Sequence, residues 1–217
     1  MEHVLITGAA RGIGLGLAQA YAEAGAQVTG VVRGAPPQAP GIDWRRADVT
    51  DPDSLRALAA EITRPVDLLV CNAGVYLDKH LDPAKLTPQI WAQSFAVNVA
   101  GVFWTVQALR PHLRAGARIA ILGSIMGSSA HAKGGAYVYR ASKAAVGNLG
   151  RNLATDLRAE GIAVGVYHPG WVRTDMGGAG ADIGAAEAMA GLRARFAALH
   201  LARSGVFESH DGTELAF

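Results

Sequence analysis

Five short, continuously apolar runs alternate with longer segments of helical periodicity, and this alternation limits the folds open to the chain. The runs span residues 4–7, 28–32, 66–71, 119–122 and 162–167. Each is apolar at successive positions, which is typical of strands covered on both faces. Because a helical pattern follows each run after a short connection, we predict an α/β fold with one doubly wound parallel sheet and helices on both faces.

Cap residues mark where several helices begin. Asp51 and Thr87 each precede a proline, which is the order expected for an N-cap followed by the first helical residue. Long helices are expected around 88–110 and 137–160. Residues 34–41 contain three prolines and are interpreted as a loop after the second strand rather than as a linker.

Length and composition exclude several classes of protein. The 217 residues suit one domain, 1–217, and half of them are hydrophobic while 18% are charged, so we expect a folded core. A net charge of +2 is too small to indicate a nucleic-acid partner. The histidines show no metal-ligand spacing, so no metal site is expected.

The chain is expected to be cytoplasmic. Its one cysteine, Cys71, cannot form an intrachain disulfide, which fits a reducing compartment. The N-terminus enters a strand-like run at once, without the basic and apolar regions of a signal peptide. No apolar run approaches the length of about 20 residues that a membrane helix needs, so no membrane partner is expected.

A glycine-rich turn, Thr7-Gly8-Ala9-Ala10-Arg11-Gly12-Ile13-Gly14, follows the first strand and opens the first helix. Glycine lets the backbone approach a pyrophosphate, and the helix N-terminus offers free N–H groups. The strand before the turn and the helix after it favour a dinucleotide site. The alternative is a tight turn that binds no ligand.

The residue after the second strand indicates which dinucleotide is bound. An acidic residue there would bind the adenosine ribose hydroxyls, but this chain has Arg33. Arg11 in the glycine-rich turn is expected near the same pocket. Two guanidinium groups without a carboxylate suit a 2′-phosphate, so we predict NADP(H) rather than NAD. In the alternative, one or both arginines point into water.

Tyr139 and Lys143 are spaced to project from one face of a helix. A free phenol titrates near pH ~10, and a neighbouring cation lowers that pKa, which would make Tyr139 a usable acid or base near neutrality. Tyr137 lacks such a partner, because the residue four positions on is Ala141. Alone the Tyr-x-x-x-Lys spacing is a weak signal that occurs on many solvated helices.

Together these motifs resemble the short-chain dehydrogenase/reductase family, in matching order over nearly the whole chain. The resemblance implies a single Rossmann-type domain that binds NADP(H) and carries an oxidoreductase site. In chain order, the matching elements are the glycine-rich turn, the adenine-contacting pair Asp48 and Val49, the Asn72-Ala73-Gly74 element, the helix asparagine Asn98, the catalytic serine Ser124, the catalytic pair Tyr139 and Lys143, and the nicotinamide segment with Pro169, Gly170, Val172 and Thr174.

Within this family the chain is similar to the C-factor-like and sniffer-type carbonyl reductases. The supporting stretches are 137–143, 168–176 and the short tail 204–217. The gap between Ser124 and Tyr139 is longer than the commonest family pattern, a feature that the subgroup tends to share. Ser128 and Ser129 therefore remain competing candidates for the catalytic hydroxyl.

The resemblance implies a mechanism for reducing a small ketone, aldehyde or quinone, or for the reverse reaction. Tyr139 would donate a proton to the carbonyl oxygen, and Ser124 would hydrogen-bond the same oxygen. Lys143 would favour the phenolate and bind the nicotinamide ribose, and Asn98 would hold a water that links Lys143 to solvent. Without its companions, Asn98 could instead cap a helix kink.

Two other functions remain open. A sugar-nucleotide epimerase or dehydratase on the same frame usually needs a larger C-terminal part. A nucleotide-sensing regulatory or signalling protein could keep the fold without turnover, although a sensor has no need for all four catalytic candidates.

The resemblance also implies a homodimer or homotetramer, formed through the two long helices. The glycine-rich segment 177–181 predicts an open or mobile substrate pocket.

Overall fold

Seven parallel strands form one sheet in the computed structural model, which describes residues 1–217. The strand order is β3-β2-β1-β4-β5-β6-β7. The strands are β1 His3–Thr7, β2 Gln27–Val32, β3 Ile42–Arg46, β4 Val66–Cys71, β5 Leu113–Leu122, β6 Ala163–His168 and β7 Phe207–Ser209. The predicted doubly wound parallel sheet is confirmed.

Six α-helices connect the strands and cover both faces of the sheet. They are α1 Gly12–Glu23, α2 Pro52–Glu61, α3 Pro88–Phe95, α4 Gly101–Leu109, α5 Tyr137–Asp156 and α6 Ala185–Ala198. The predicted caps are present, since the side chain of Asp51 accepts from Asp53 N at the start of α2 and that of Thr87 accepts from Ile90 N at the start of α3. No helix combines the length and apolarity needed to cross a bilayer.

Successive strand residues are buried on opposite faces of the sheet, which explains the continuous apolar runs. In β1, Leu5 packs in the core shared with α2, α4 and α5, whereas Val4 and Ile6 pack in the core shared with α1 and α6. All three side chains are fully buried. Burial of one such side chain contributes about 1.5–3 kcal/mol. A strand with alternating polar and apolar residues would gain this energy on one face only, so it could not hold helices on both faces.

Two strands lie outside the five apolar runs. β3, at one edge, has a mixed sequence because its residues are half-buried or exposed. It ends two residues before Asp48, which places the pair Asp48 and Val49 at the carboxyl edge of the sheet. β7, at the other edge, has only three residues and pairs with β6. It was not predicted, because a strand this short has no detectable periodicity.

The helix predicted around 88–110 is present as one run of helical backbone over 88–109, with a π-helical interruption near its centre. A π-helical segment, Ala96–Ala100, separates α3 from α4, and Asn98 lies in it. Such π-helical segments often occur at functional sites. The helix expected over 137–160 is α5, followed by a 3₁₀ turn, Leu157–Glu160, and by Gly161 in the left-handed region.

The fold brings the candidate residues to one edge of the sheet. Strand order reverses between β1 and β4, so the loops after these two strands diverge and leave a crevice at their carboxyl ends. The glycine-rich turn follows β1, and Asn72-Ala73-Gly74 follows β4. The segments carrying Ser124 and Pro169 follow β5 and β6 at the same edge.

Candidate active site

A cavity of about 460 Å³ occupies this crevice. Its volume is typical of small-molecule and cofactor sites. Its lining includes most of the residues predicted from the sequence: Gly8, Arg11, Gly12, Ile13, Arg33, Asp48, Val49, Asn72, Ala73, Gly74, Tyr139, Lys143, Pro169 and Thr174. The predicted residues Gly14, Asn98, Ser124, Gly170 and Val172 are not part of the lining.

The glycine-rich turn is held against the loop after β4. Asn72 Nδ2 donates to Thr7 O at 2.9 Å and to Gly8 O at 3.0 Å. Gly8 and Gly12 both adopt positive φ, 67° and 56°. A β-carbon on Gly14 would lie 2.4 Å from both Gly8 O and Asn72 Nδ2. Gly14 therefore packs closely against Gly8 and Asn72 and does not line the cavity.

Two arginines and two carboxylates border the end of the cavity beside β2. Arg33 follows β2 directly, as predicted, and its side chain is exposed. Arg11 also lines the cavity, but its guanidinium pairs with Asp175 across 2.9 Å. The carboxylate of Asp48 accepts from the backbone and side chain of Thr50, which lower the pKa of Asp48, and Arg33 lowers it further. Two guanidinium groups thus border this end of the cavity as predicted, but the expected absence of a carboxylate is wrong, because Asp48 and Asp175 lie beside them.

Tyr139 and Lys143 lie at the other end of the cavity, on the first turns of α5. The Lys143 ammonium is 5.7 Å from the centroid of the Tyr139 ring and donates to Leu122 O at 2.7 Å. Burial lowers the pKa of Lys143 to about 8. The predicted spacing on one helix face is confirmed.

Burial, and not the lysine, dominates the ionisation of Tyr139. Burial raises the pKa of Tyr139 to about 12, Ser124 lowers it, and Tyr76 and Asp78 raise it further. The expected lowering of this pKa by Lys143 is wrong, because Lys143 is not among the groups that shift it. The phenol of Tyr139 is therefore neutral at physiological pH, which is the form that can donate a proton.

Ser124 is the hydroxyl that faces Tyr139. It follows β5, is buried, and lies close enough to Tyr139 to lower the pKa of that phenol. Ser128 is also buried, but its Oγ lies 3.2 Å from His131 Nδ1. Ser129 is exposed. This arrangement favours Ser124 over the two alternatives left open by the sequence.

Asn98 joins three parts of the site through its side-chain amide. Its Nδ2 donates to Val75 O and to Ser142 Oγ, both at 2.9 Å, and its Oδ1 accepts from Val75 N at 2.8 Å. A β-carbon on Gly74 would lie 3.3 Å from Asn98 Oδ1 and 3.7 Å from Lys143 Nζ. From its position in the π-helical segment, Asn98 therefore anchors the loop after β4. Its predicted role in holding a water molecule stays a prediction.

The segment after β6 closes the cavity on one side. Pro169 and Thr174 line the cavity, whereas Val172 is buried and bridges to Ile183. Gly170 adopts a φ of 85° against the ring of His210. Val172 and Gly170 thus shape the segment that presents Pro169 and Thr174.

Several residues of the site were not predicted. Asp175 and Met176 line the cavity beside Thr174. The Tyr76 ring stacks on the Tyr139 ring, with centroids 4.1 Å apart and planes inclined by 15°. The other lining residues missed by motif reasoning are Ala10, Val31, Val32, Gly34, Ala47, Val75, Val97, Leu122 and Gly123. Most are small or apolar residues at or just after the carboxyl ends of strands. They could have been predicted by taking every residue that follows a predicted strand as a candidate for the cavity lining.

The fold and these motifs agree with a comparison of the chain with known protein families. The short chain dehydrogenase family model matches residues 2–182. The chain belongs to the short-chain dehydrogenase family. The family predicted from the glycine-rich turn and the Tyr139–Lys143 pair is therefore confirmed.

Individual relatives support the predicted subgroup. The C-signal protein of Myxococcus xanthus is 40% identical over 169 residues, which cover 74% of this chain and 99% of that protein. The carbonyl reductase Sniffer of D. melanogaster superposes with a TM-score of 0.93 at 27% identity, covering 100% of both chains. An NADPH-bound carbonyl reductase from chicken fatty liver gives 0.91 at 28% identity, covering 100% of this chain and 99% of that one.

Proposed function

We propose that this oxidoreductase is an NADPH-dependent carbonyl reductase that interconverts a small ketone, aldehyde or quinone and its alcohol. The observation that carries the proposal is a cavity with Tyr139 and Lys143 at one end and Arg11 and Arg33 at the other. The buried Ser124 hydroxyl lies beside Tyr139, just behind that lining. The similarity to two carbonyl reductases, one of them bound to NADPH, supports the same reaction.

The cavity residues fit a dinucleotide phosphate. The glycine-rich turn leaves its backbone close to the N-terminus of α1, where free N–H groups favour a pyrophosphate. Arg11 and Arg33 would hold the 2′-phosphate, and Lys143 would bind the nicotinamide ribose. When bound, the nicotinamide supplies hydride to the carbonyl carbon.

The protein supplies the proton and the orientation. Tyr139 Oη donates its proton to the carbonyl oxygen, and Ser124 hydrogen-bonds that oxygen and holds it in place. The buried phenol is neutral, so Tyr139 is in the donor form before the reaction. In the reverse direction Tyr139 accepts the alcohol proton, and the neighbouring Lys143 ammonium stabilises the phenolate.

A Tyr139→Phe variant tests this proposal. It keeps the ring that stacks on Tyr76 and removes only the proton donor, so kcat should fall by about 10²–10⁴. NADPH affinity, measured by fluorescence titration, should stay within about threefold. The matched control is Tyr137→Phe on the same helix, because Tyr137 is 50% exposed and lies outside the cavity lining. Unchanged kcat in Tyr139→Phe would refute the proposed proton donor.

The second candidate is a nucleotide-sensing regulatory or signalling protein. The name of the M. xanthus relative, C-signal, supports this alternative. Absence of turnover by the wild-type protein across a panel of aldehydes, ketones and quinones, with NADPH still bound, would favour the sensor over the enzyme. Running the panel with NADH as well reports the cofactor preference in the same experiment.

A homodimer or homotetramer through the helices of 88–110 and 137–160 is also part of the proposal. Trp91 on α3 and Trp104 on α4 are 39% and 40% exposed, which is unusual for tryptophan. Light scattering coupled to size-exclusion chromatography would measure the mass, and a monomer at micromolar concentration would contradict this part.

A further inference from the structure

The N-terminus of α5 has no acceptor of its own. The residue in the N-cap position, Ala136, has no side-chain oxygen and adopts a left-handed backbone with φ 47°. Gly134 and Gly135 before it are also left-handed. Helices need acceptors for the N–H groups of their first turn, and these are usually supplied by a Ser, Thr, Asp or Asn at the cap. Here the local sequence supplies none.

Asp78 supplies the missing acceptor from a distant part of the chain. Its Oδ2 accepts from Val138 N at 2.8 Å, and its Oδ1 and Oδ2 lie 3.2 and 3.3 Å from Tyr139 N. The residue is only 2% exposed and makes no salt bridge. A buried carboxylate at the positive end of a 20-residue helix is stabilised by those N–H groups and by the helix dipole.

The loop that carries Asp78 also holds the Tyr139 ring. Tyr76, two residues earlier, stacks on that ring, and Val75 is fixed by both polar atoms of the Asn98 side chain. Asn98 in turn donates to Ser142, whose Oγ donates to Tyr139 O at 2.8 Å. The backbone N–H, the backbone carbonyl and the ring of Tyr139 are thus all tied to the loop at 75–78.

We propose that Asp78 is a positioning residue that fixes the first turn of α5 and thereby places the Tyr139 hydroxyl for proton transfer. Tyr139 is the third residue of α5, within the turn that frays first when a cap is lost. A displacement of about 1 Å at a reacting group can lower a rate by roughly 10²-fold. This inference rests on the proposed reductase activity, because the consequence of misplacing Tyr139 is measured as turnover.

Asp78→Ala removes both acceptors and should lower kcat by about 10–100-fold. NADPH affinity should stay within about threefold, because Asp78 does not line the cavity. Expressing kcat per NADPH-binding site removes any effect of a lower folded fraction. Hydrogen exchange at the amides of Val138 and Tyr139 should accelerate by about tenfold or more, while that in α2 stays unchanged.

Asp78→Asn keeps one oxygen where Oδ2 accepts, but replaces a charged acceptor by a neutral one and adds a donor. Because charge-assisted hydrogen bonds are about twice as strong as neutral ones, kcat should be intermediate, about 3–10-fold below wild type. The matched control is Asp51→Ala, which removes the equivalent cap from α2, where Asp51 accepts from Asp53 N at 2.9 Å. It should accelerate exchange in α2 and leave kcat unchanged.

The expected order of kcat is wild type, then Asp78→Asn, then Asp78→Ala, with NADPH binding retained. Wild-type kcat in the Asp78 variants, or an equal loss in Asp51→Ala, would overturn the positioning role. If Asp78→Ala does not fold, Asp78→Asn decides: a threefold or larger fall with faster exchange at Tyr139 supports the role, and wild-type kcat refutes it. Failure of the proposed function is distinct, because the wild-type protein itself would then turn over no carbonyl.

Discussion

The Arg11 guanidinium and the Asp175 carboxylate form an ion pair, 2.9 Å long, between two segments that border the candidate cofactor cavity. Arg11 belongs to the glycine-rich turn after β1, and Asp175 to the segment after β6, 164 residues further along the chain. Their side chains are 71% and 77% exposed. An exposed pair of this kind contributes at most about 1 kcal/mol, so a phosphate can displace the carboxylate at little cost.

Arg11→Ala should therefore weaken NADPH binding much more than NADH binding. A charge-assisted hydrogen bond to a phosphate contributes about 1.5–3 kcal/mol, which corresponds to roughly 10–100-fold in the Kd for NADPH. Fluorescence titration with both nucleotides gives the two Kd values. Equal weakening of both would show that Arg11 does not contact the 2′-phosphate.

Asp175→Asn tests the ion pair from its other side. Removing the carboxylate frees Arg11 for the phosphate, so NADPH should bind about 2–5-fold more tightly, within the strength of an exposed ion pair. The Kd for NADH should not change. Weaker NADPH binding in this variant would mean that the ion pair orders the cofactor site instead of competing with the phosphate.

Gly14 and Gly16 lie two positions apart on α1 and should respond differently to alanine. A β-carbon on Gly14 would meet Gly8 O and Asn72 Nδ2 at 2.4 Å, and Gly8 O is backbone that cannot move aside. A β-carbon on Gly16 would meet only the side chain of Met189, at 3.1 Å. Gly14→Ala should therefore lower the free energy of unfolding by about 1–3 kcal/mol and weaken NADPH binding.

Gly16→Ala is the matched control for that variant. Alanine favours a helix over glycine by up to about 1 kcal/mol, and the flexible Met189 side chain can adjust, so stability should stay within about 1 kcal/mol of wild type. Urea unfolding of both variants gives the free energies. A Gly14→Ala protein as stable as Gly16→Ala would contradict the close packing of the turn.

Much of the candidate site could be predicted because its motifs are local and attached to strand ends. The glycine-rich turn follows β1, Ser124 follows β5, and Tyr139 and Lys143 share a helix face. Once a parallel sheet is inferred, its carboxyl edge brings these segments together without further information. The candidate cofactor and catalytic residues could be placed together for this reason.

Contacts between distant segments could not be predicted in the same way. Asp78 caps a helix 60 residues downstream, and no sequence pattern links a single aspartate to Val138 N. The stacking of Tyr76 on Tyr139 depends on how the loop after β4 folds back. The pKa of Tyr139 is raised mainly by burial. The sequence shows that Lys143 is four residues away but does not show how deeply the phenol is buried.

His168, at the end of β6, should make stability depend on pH. Burial lowers the pKa of His168 to about 4, His210 lowers it too, Asp211 opposes this, and His131 lowers it further. The unfolded histidine titrates near pH ~6.5 and so binds a proton that the folded one does not. The stabilisation is complete above pH ~6.5 and is lost as the pH falls through about 4.

Replacing His168 by asparagine should remove this contribution, which we expect to be roughly 1–3 kcal/mol between neutral and acid pH. The measurement is the free energy of unfolding by urea at several values between pH ~4.5 and ~7. The wild-type protein should lose more stability over this range than the variant. His200→Asn, at an exposed position, is the control and should keep the wild-type slope. Parallel slopes in all three proteins would contradict the prediction.

Lys79 should control the order of the segment after β6, which borders the expected substrate region. Its Nζ donates to Met176 O at 2.7 Å, and Trp171 Nε1 donates to Gly177 O at 2.9 Å. Gly177 and Gly178 give this segment little order of its own. Lys79→Met keeps the length of the side chain and removes the donor, so hydrogen exchange at 176–178 should accelerate and the KM for carbonyl substrates should change.

The expected change in KM is about 3–10-fold, which is what the loss of one hydrogen bond from a charged donor on this partly exposed segment allows. The free energy of unfolding should stay within about 1 kcal/mol, because the contact lies at the surface. Lys85→Met is the control, since Lys85 lies in the short 3₁₀ turn before α3, whereas the donor to Met176 O and Gly177 O is Lys79. Because Tyr139 and Ser124 are held by other contacts, kcat should remain near wild type. A large fall in kcat with unchanged KM would instead show that Lys79 acts on the reacting groups.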